Sequence, residues 1–528
     1  MGAIKSFAQA IIVVTTVTAA VMELIDTTIV NIALNDMAGS LGVGIEDVSW
    51  VITSYAIANV IIIPLTGFLG QYFGRKNYYI ASMILFTLAS YACGQSTGLA
   101  ELVLWRFLQG IGGGALLSTS QAILFDAFSE KDRPIASGLF GMGLVLGPTL
   151  GPTIGGYIIE HYSWPVIFDI NIPIGIVATI LSIYFVPKKA GEGEQKKGFK
   201  IDYLGIALLA AGIGALQYVL ERGEHEDWFD SRTIQVTAAI ALVGLVGFVW
   251  RELTTDSPAV NLKVLKNRNL AFTTVFTFVA GVGLFTSVFV YPVLAQRVLG
   301  FTAYETGISL LPPTMLAVIM MPVIGKTMSK GISAVPFVVG GFFIFSLYCW
   351  LSSQVSPDIG KWAFFIPLAI RAVGISMVQL PLINQAVAGL QPRDYPAGIA
   401  INNMIRQLGG AFGIALANNY ITHQYGQHRS DLVSAIPDGS PQLIQRINTL
   451  VQGIMSRTNE TLQVATQKAQ ALLSLQVDRQ SYYLAYLDTF RLIALFFIIV
   501  VPFAFFLKTK KEAPKDPEAA RKALESAH

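Results

Sequence analysis

Residues 9–34 read QAIIVVTTVTAAVMELIDTTIVNIAL, an apolar run whose only ionisable groups are Glu23 and Asp26. A helix needs roughly 20 apolar residues to cross a bilayer, and this stretch exceeds that. It is too long for a signal-peptide core and no small-residue cleavage site follows it, so it reads as a retained membrane helix. Outward from it, similar runs recur at roughly 48–70, 78–97, 100–125, 134–158, 164–187, 202–221, 233–251, 270–296, 304–326, 332–353, 362–386, 397–421 and 489–508. About fourteen spans in 528 residues predict an all-α integral membrane protein. Composition agrees, with 53% hydrophobic and 13% charged residues and a mean hydropathy of +0.58; a soluble domain carries about 25% charged residues. Disordered, fibrous and secreted classes are excluded, and a net charge of +3 offers little to nucleic acid. Cys93 and Cys349 both fall within apolar runs, which predicts buried thiols rather than a disulfide.

Loops rich in Lys and Arg stay cytoplasmic. With the N-terminus inside, the cytoplasmic segments carry 23 such residues, among them Arg75, Lys76, Lys188, Lys189, Lys196, Lys197 and Lys200. The short outer loops carry four, Arg222, Arg232, Arg297 and Lys361. Both termini are therefore expected in the cytoplasm. The chain also repeats at an offset of about 260 residues: Pro64-Leu65-Thr66-Gly67 matches Pro322-Val323-Ile324-Gly325, Arg106 matches Arg371, Asp132-Arg133-Pro134 matches Asp394-Tyr395-Pro396, and Cys93 matches Cys349. This divides the chain into a six-helix bundle over 1–187, a linker with two inserted helices over 188–268, and a second six-helix bundle over 269–508. The second bundle contains an outer segment over 422–488, and a cytoplasmic tail occupies 509–528. Two pseudo-symmetric bundles with a site between them form a transporter architecture.

No phosphate-cradling G-x-x-x-x-G-K-[ST] loop is present, because Met320 stands where the first glycine belongs before Gly325-Lys326-Thr327. Gly110-Ile111-Gly112-Gly113-Gly114 lies inside a span and reads as helix packing. The five histidines lack metal-ligand spacing, so neither a metal site nor a cofactor is expected. Transport without an ATPase leaves ionisable groups inside the membrane, where each costs about 2.5–3.5 kcal/mol on insertion scales and so needs a partner or a task. Six such groups stand well inside spans: Glu23, Asp26, Asp169, Arg106, Arg371 and Arg406. From the helical rise, Asp26, Arg106 and Asp169 share one layer, and Glu23 lies on the face of Asp26 at i, i+3. Low dielectric favours the protonated carboxyl and a nearby Arg the ionised one, so the layer suits proton exchange; as a neutralised network it would only hold helices together. Span 5 carries Gly143, Gly147, Gly151 and Gly155 at four-residue spacing, with Pro148 and Pro152 between them and Gly156 following, a stripe suited to close helix approach and to a gating contact.

These residues resemble the major facilitator superfamily, and within it the fourteen-span drug:proton antiporters of the EmrB/QacA type. Gly67-Phe68-Leu69-Gly70-Gln71-Tyr72-Phe73-Gly74-Arg75-Lys76 is similar to the cytoplasmic loop signature between spans 2 and 3, with Gln71 where an acidic residue is usual. Arg106-Phe107-Leu108-Gln109-Gly110 resembles the span 4 signature, whose arginine is implicated in proton transfer, and the glycine stripe through Gly156 resembles the antiporter motif. Leu24 to Leu34, with Asp26 and Asn31, resembles the span 1 motif of the fourteen-span group, although Asn35 stands where proline is usual; Asn171-Ile172-Pro173-Ile174-Gly175 and Arg406-Gln407-Leu408-Gly409-Gly410 are also like it. Asp26 and Glu23, the carboxylates inside span 1, are the expected proton or cation coupling groups, with Arg106, the arginine of the resembled span 4 signature, biasing their protonation. Asp169, Arg371, Arg406, Asn31 and Gln109 are candidates for the central cavity or for coupling.

Residues 422–488 are too polar to span and too long for an ordinary connection. Helical spacing at Leu443, Ile447, Leu450 and Ile454, and again at Leu462, Ala465, Ala469 and Leu472, predicts a projecting hairpin. By the resemblance it would dock a periplasmic adaptor protein linked to an outer-membrane channel. The Asn459-Glu460-Thr461 sequon is discounted in a bacterial protein. The expectation is proton-driven export of small amphiphilic drugs across the inner membrane by alternating access, with no cofactor and no enzyme activity. A transporter of one physiological solute (a fatty acid, siderophore or amino-acid derivative) and a non-transporting sensor or scaffold are the alternatives.

Overall fold

In the computed structural model the described residues are 7–188, 201–356, 363–437, 440–458 and 461–506. Lys189, Lys196, Lys197, Lys200, Lys361, the sequon residues Asn459 and Glu460 and the tail 509–528 lie outside them. Among the described residues there is no strand. The long helices are α1 (Phe7–Leu41), α2 (Trp50–Phe73), α3 (Arg75–Gln95), α4 (Leu99–Ala127), α5 (Arg133–His161) and α6 (Asn171–Phe185). Then come α7 (Tyr203–Arg222), α8 (Arg232–Thr254), α9 (Arg268–Arg297), α10 (Ala303–Met328), α11 (Ala334–Ser352), α12 (Phe365–Gln385), α13 (Tyr395–Ser434), α14 (Pro441–Met455) and α15 (Leu462–Val500).

Among the described residues, eleven helices are long and apolar enough to cross a membrane by length and composition. Helices α3, α4 and α13 also coincide with expected spans but are more polar, carrying Arg75 and Lys76, Arg106 and Gln109, and Asn402, Asn403 and Arg406 respectively. The polar residues within these helices face protein, where an apolar surface is not required: Arg106, Gln109, Asn402, Asn403 and Arg406 are all buried.

The repeat seen in the sequence recurs as a repeated helix crossing. A Cβ on Gly112 of α4 would stand 2.8 Å from Phe86 N and from Ser82 O of α3, and one on Gly374 of α12 would stand 2.9 Å from Phe345 N and 3.1 Å from Gly341 O of α11. Only glycine lets two helix backbones come this close. Gly110 and Gly114 do the same against α2, at Tyr55 O (2.5 Å) and Asn59 O (2.6 Å), so the glycine-rich run wedges α4 between α2 and α3. These crossings correct one expected match. Gly374 follows Arg371 by three residues as Gly112 follows Gln109, so Arg371 occupies the place of Gln109, one turn away from that of Arg106.

The glycine stripe of α5 packs on α1 within the same half: Gly143 against Val17 and Val21, Gly151 against Ile25 and Thr28, and Gly155 against Ile29. Gly413 of α13 meets Val282 and Thr286 of α9 in the same manner. Contact between the halves is made by other faces. At the end of the molecule carrying Arg75 and Arg133, Arg133 Nη1 donates to Tyr395 Oη (2.8 Å), Ser137 Oγ to Asn384 Oδ1 (2.7 Å), and Asn403 Nδ2 to Ser118 Oγ (3.1 Å) and Gln121 Oε1 (3.2 Å). Beneath these bonds, Leu117, Phe125, Phe140 and Leu144 of one half form a buried apolar cluster with Ile383, Val387 and Ile399 of the other. The two halves are thereby tied together at the Arg75 end.

The inserted pair α7 and α8 cross at Gly212, whose Cβ would lie 2.7 Å from Leu245 N. Asp202 accepts from Gly205 N (3.0 Å) and from Arg251 Nε (3.0 Å), tying the start of α7 to the end of α8. Beyond α13 the expected hairpin exists in altered form, because α15 runs unbroken from residues of the 422–488 segment into the expected last span. The expected span 489–508 is thus the lower part of a longer helix ending at Val500, followed by a 3-10 segment, Val501–Phe506. Helix α14 packs on α15 through Val451, Ala465 and Ala469.

Candidate functional site

Five helices bring their polar residues together inside the first half. Asp26 on α1 and Arg106 on α4 are 0% and 1% exposed, and Asp26 Oδ2 lies 2.5 Å from Arg106 Nη1. Gln109, one turn along α4, accepts from Arg106 Nη1 (2.8 Å) and donates to Asp26 Oδ1 (2.9 Å), closing a three-membered ring of hydrogen bonds. Asn171 Nδ2 adds a second donor to Asp26 Oδ1 (3.0 Å) and also bonds Ser90 Oγ (3.1 Å). The guanidinium is held from its other sides by Val51 O, which accepts from Nε (3.1 Å), and by the Tyr55 ring, 4.1 Å from its carbon. Both members of the pair are therefore charge-compensated and hydrogen-bonded, which is the condition for keeping ions in a low-dielectric interior.

Glu23, one turn back on α1 and 1% exposed, is held differently. Its Oε1 accepts from Asn59 Nδ2 (2.9 Å), whereas Oε2 is buried with no donor. Arg406, buried on α13 of the other half, lies within electrostatic reach of Glu23 without contacting it. Both carboxylates on this face of α1 are thus hydrogen-bonded within their own half, Asp26 to Arg106, Gln109 and Asn171 and Glu23 to Asn59, with Glu23 also in electrostatic reach of Arg406 of the other half.

The remaining expected residues separate from this cluster. Asp169 ends a one-turn helix, Val166–Asp169, and lies beside Gly94 near the end of α3; Asn171, two residues on, reaches the layer in its place. Asn31 is exposed on α1, and none of the hydrogen bonds above reaches it. Arg371 is buried in the second half, with Nη1 donating to Ser287 O (3.3 Å). Of the loop signature, Gly67 lies against Pro396 and Ala397 of α13. Arg75 pairs with Asp126 at the end of α4, and Lys76 donates to Ile183 O (2.6 Å). The acidic partner missing at Gln71 is thus supplied by another helix. Asn171 enters the sequence reading only as part of a motif resemblance, and Asn59 and Tyr55 do not enter it; a polar amide inside an apolar run is the signal available for Asn171 and Asn59.

This fold, two pseudo-symmetric bundles around buried charges, is that of a secondary transporter. The sequence pattern of the Major Facilitator Superfamily matches residues 16–414, and the chain belongs to that family. It is a multi-pass membrane transporter of small substrates rather than an enzyme. It is 31% identical over 488 residues to the multidrug export protein EmrB of Escherichia coli, covering 92% of this chain and 93% of that one. It is 30% identical to the fatty acid resistance protein FarB of Neisseria gonorrhoeae, covering 92% and 94%. Among solved structures, the human organic anion transporter MFSD10 (TETRAN) superposes with a TM-score of 0.54 at 13% identity, covering 93% of this chain and 99% of that one. A bacterial homolog of the lysosomal transporter Spinster gives the same score and identity, covering 96% and 100%.

Proposed function

We propose that the protein exports amphiphilic drugs or related toxic compounds from the inner membrane of a bacterium in exchange for protons. The observation that carries this reading is the buried Asp26–Arg106 pair with Glu23 one turn away, its Oε2 without a hydrogen bond and Arg406 of the opposite half within electrostatic reach. The multidrug export proteins among the relatives support the substrate class. A proton arriving at Glu23 removes its attraction to Arg406, and α1 passes the change to α5 through the glycine stripe, where the close fit makes the two helices move together. The Arg75 end is the cytoplasmic end in this reading, so contacts between the halves there must part to admit cytoplasmic substrate. The proton gradient drives the cycle, and no bound cofactor takes part. In proteoliposomes, an imposed pH gradient is expected to drive uphill movement of a lipophilic dye, with matching proton release and collapse on adding an uncoupler. Dye flux indifferent to the gradient would reject proton coupling, and dye binding without any flux would favour the sensor reading.

The outer hairpin serves in this proposal as the docking site for a periplasmic adaptor protein that leads to an outer-membrane channel. Leu462, Leu472 and Leu475 are exposed there, away from the membrane-spanning part of α15, and exposed apolar residues on a water-facing element mark an interaction surface. Leu475→Glu, and more completely deletion of residues 440–478, is expected to reduce adaptor pull-down at least about tenfold, the loss of one well-packed apolar anchor. Undiminished capture by the deletion protein would reject the docking role.

A further inference from the structure

Arg371 differs from Arg106 in having no counter-ion. It is 5% exposed, its Nη1 bonds only a backbone carbonyl, and its Nε is buried with no acceptor. Among the described residues no carboxylate lies within 4.0 Å of it. The neighbouring helices offer none at its level, since α9, α11 and α12 contain no Asp or Glu, α10 carries only Glu305, in its first turn and engaged in a capping box, and α5 carries only Glu160, exposed in its last turn. Arginine stays protonated in proteins, so the second half holds a permanent, uncompensated charge. A buried guanidinium left this way is costly unless something arrives to neutralise it.

The charge opens onto a small cavity, about 10 Å³ in this conformation, between the two halves. Leu144, Val145 and Pro148 of α5 wall one side, and Leu284 and Val288 of α9 the other. Thr149 and Thr314 meet at its edge through a 3.0 Å hydrogen bond between their hydroxyls. One cation with an open donor, apolar walls and two hydroxyls match a molecule with a planar anionic head and an apolar body. Because α5 and α12 belong to different halves, the cavity widens as the halves part.

We infer that Arg371 is the binding site for the carboxylate head of an amphiphilic substrate, which supplies the counter-ion the second half lacks. The inference deepens the export reading and rests on it for the word substrate; the binding itself does not require coupled transport. Arginine grips a carboxylate through two parallel N–H donors, and hydrogen bonds to charged groups are strong enough that losing them weakens binding about tenfold or more. An alcohol of the same chain length would gain only the apolar walls.

The test is binding of octanoate, octanol and octylammonium to the purified protein in phosphatidylcholine nanodiscs, with empty nanodiscs subtracted. Octanoate is expected to bind the native protein at least about tenfold more tightly than octanol or octylammonium, and Arg371→Gln to remove that advantage while octanol binding stays unchanged. Arg371→Lys should retain part of it, since a point charge attracts but does not fork. If Arg371→Gln does not fold, Leu284→Asp answers the same question by placing a carboxylate inside the cavity, and it should abolish octanoate preference alone. Equal affinity for the three probes, or unchanged octanoate preference in both variants, overturns the inference. Loss of octanoate binding on adding phosphatidylglycerol to the nanodiscs would assign the site to a lipid headgroup and overturn it too. The gradient-driven dye assay is read separately: absent flux with intact octanoate preference defeats the transport reading and leaves the site standing.

Discussion

Asp26→Asn is expected to abolish gradient-driven efflux and to destabilise the folded protein by about 3–5 kcal/mol, the cost of breaking a buried ion pair from one side. The geometry makes the substitution severe despite its small size. An amide at this position keeps its oxygen as acceptor for Gln109 and Asn171 but sets its NH2 group where Oδ2 now meets Arg106 Nη1, donor against donor, with the guanidinium charge uncompensated. Thermal unfolding in detergent should show the loss, and dye efflux from cells lacking their major pumps should fall to the uncoupled background. The partner change separates the two effects. Adding Arg106→Gln to Asp26→Asn removes the orphaned charge, so stability should recover by a few kcal/mol, as expected for directly contacting residues, while efflux stays absent. Full efflux by the Asp26→Asn protein would reduce the pair to a structural network.

Gly112→Val should be strongly damaging although it lies outside the charged layer. Its Cβ would meet backbone atoms of α3 at 2.8 Å, and backbone cannot swing aside as a flexible side chain does. Overpacking of this kind costs about 1–3 kcal/mol, occasionally more, and here it would force α3 away from α4 over the whole crossing. Loss of the monodisperse peak in size-exclusion chromatography is the expected readout. Gly453→Ala is the control: nothing lies within 4 Å of that position on α14, so the change should be neutral or stabilise by up to about 1 kcal/mol. Equal yields of both variants would show that the α3–α4 crossing tolerates widening.

Much of the architecture was legible before any helix was placed. Long apolar runs announce membrane passages because a backbone in lipid must satisfy its own hydrogen bonds within each segment, and that requirement is local. The glycine spacing of span 5 and the run from Gly110 to Gly114 announced close crossings for the same reason: residues four apart share a helix face whatever lies opposite. Asp26 and Arg106 were legible as neighbours, since their depth follows from the rise per residue, whereas the same argument placed Asp169 with them and gave Gln109 no partner. What lay beyond the sequence was the rotation and register of one helix against another. Asp169 and Asn171 are two residues apart and on different faces, and the break before α6 turns the amide rather than the carboxylate toward Asp26. The repeat at about 260 residues aligned Arg371 with Arg106, and the glycine crossings moved it one turn. Glu23 and Asp26 share a face of α1, yet Asp26 closes a ring with Arg106 and Gln109 while Glu23 bonds Asn59 and has no cation in contact. Spans and periodic faces are properties of single segments, which the residues of each determine alone; partners are set where two helices meet, and a shift of one turn or a quarter rotation there, decided by the fit of many side chains at once, exchanges every one of them.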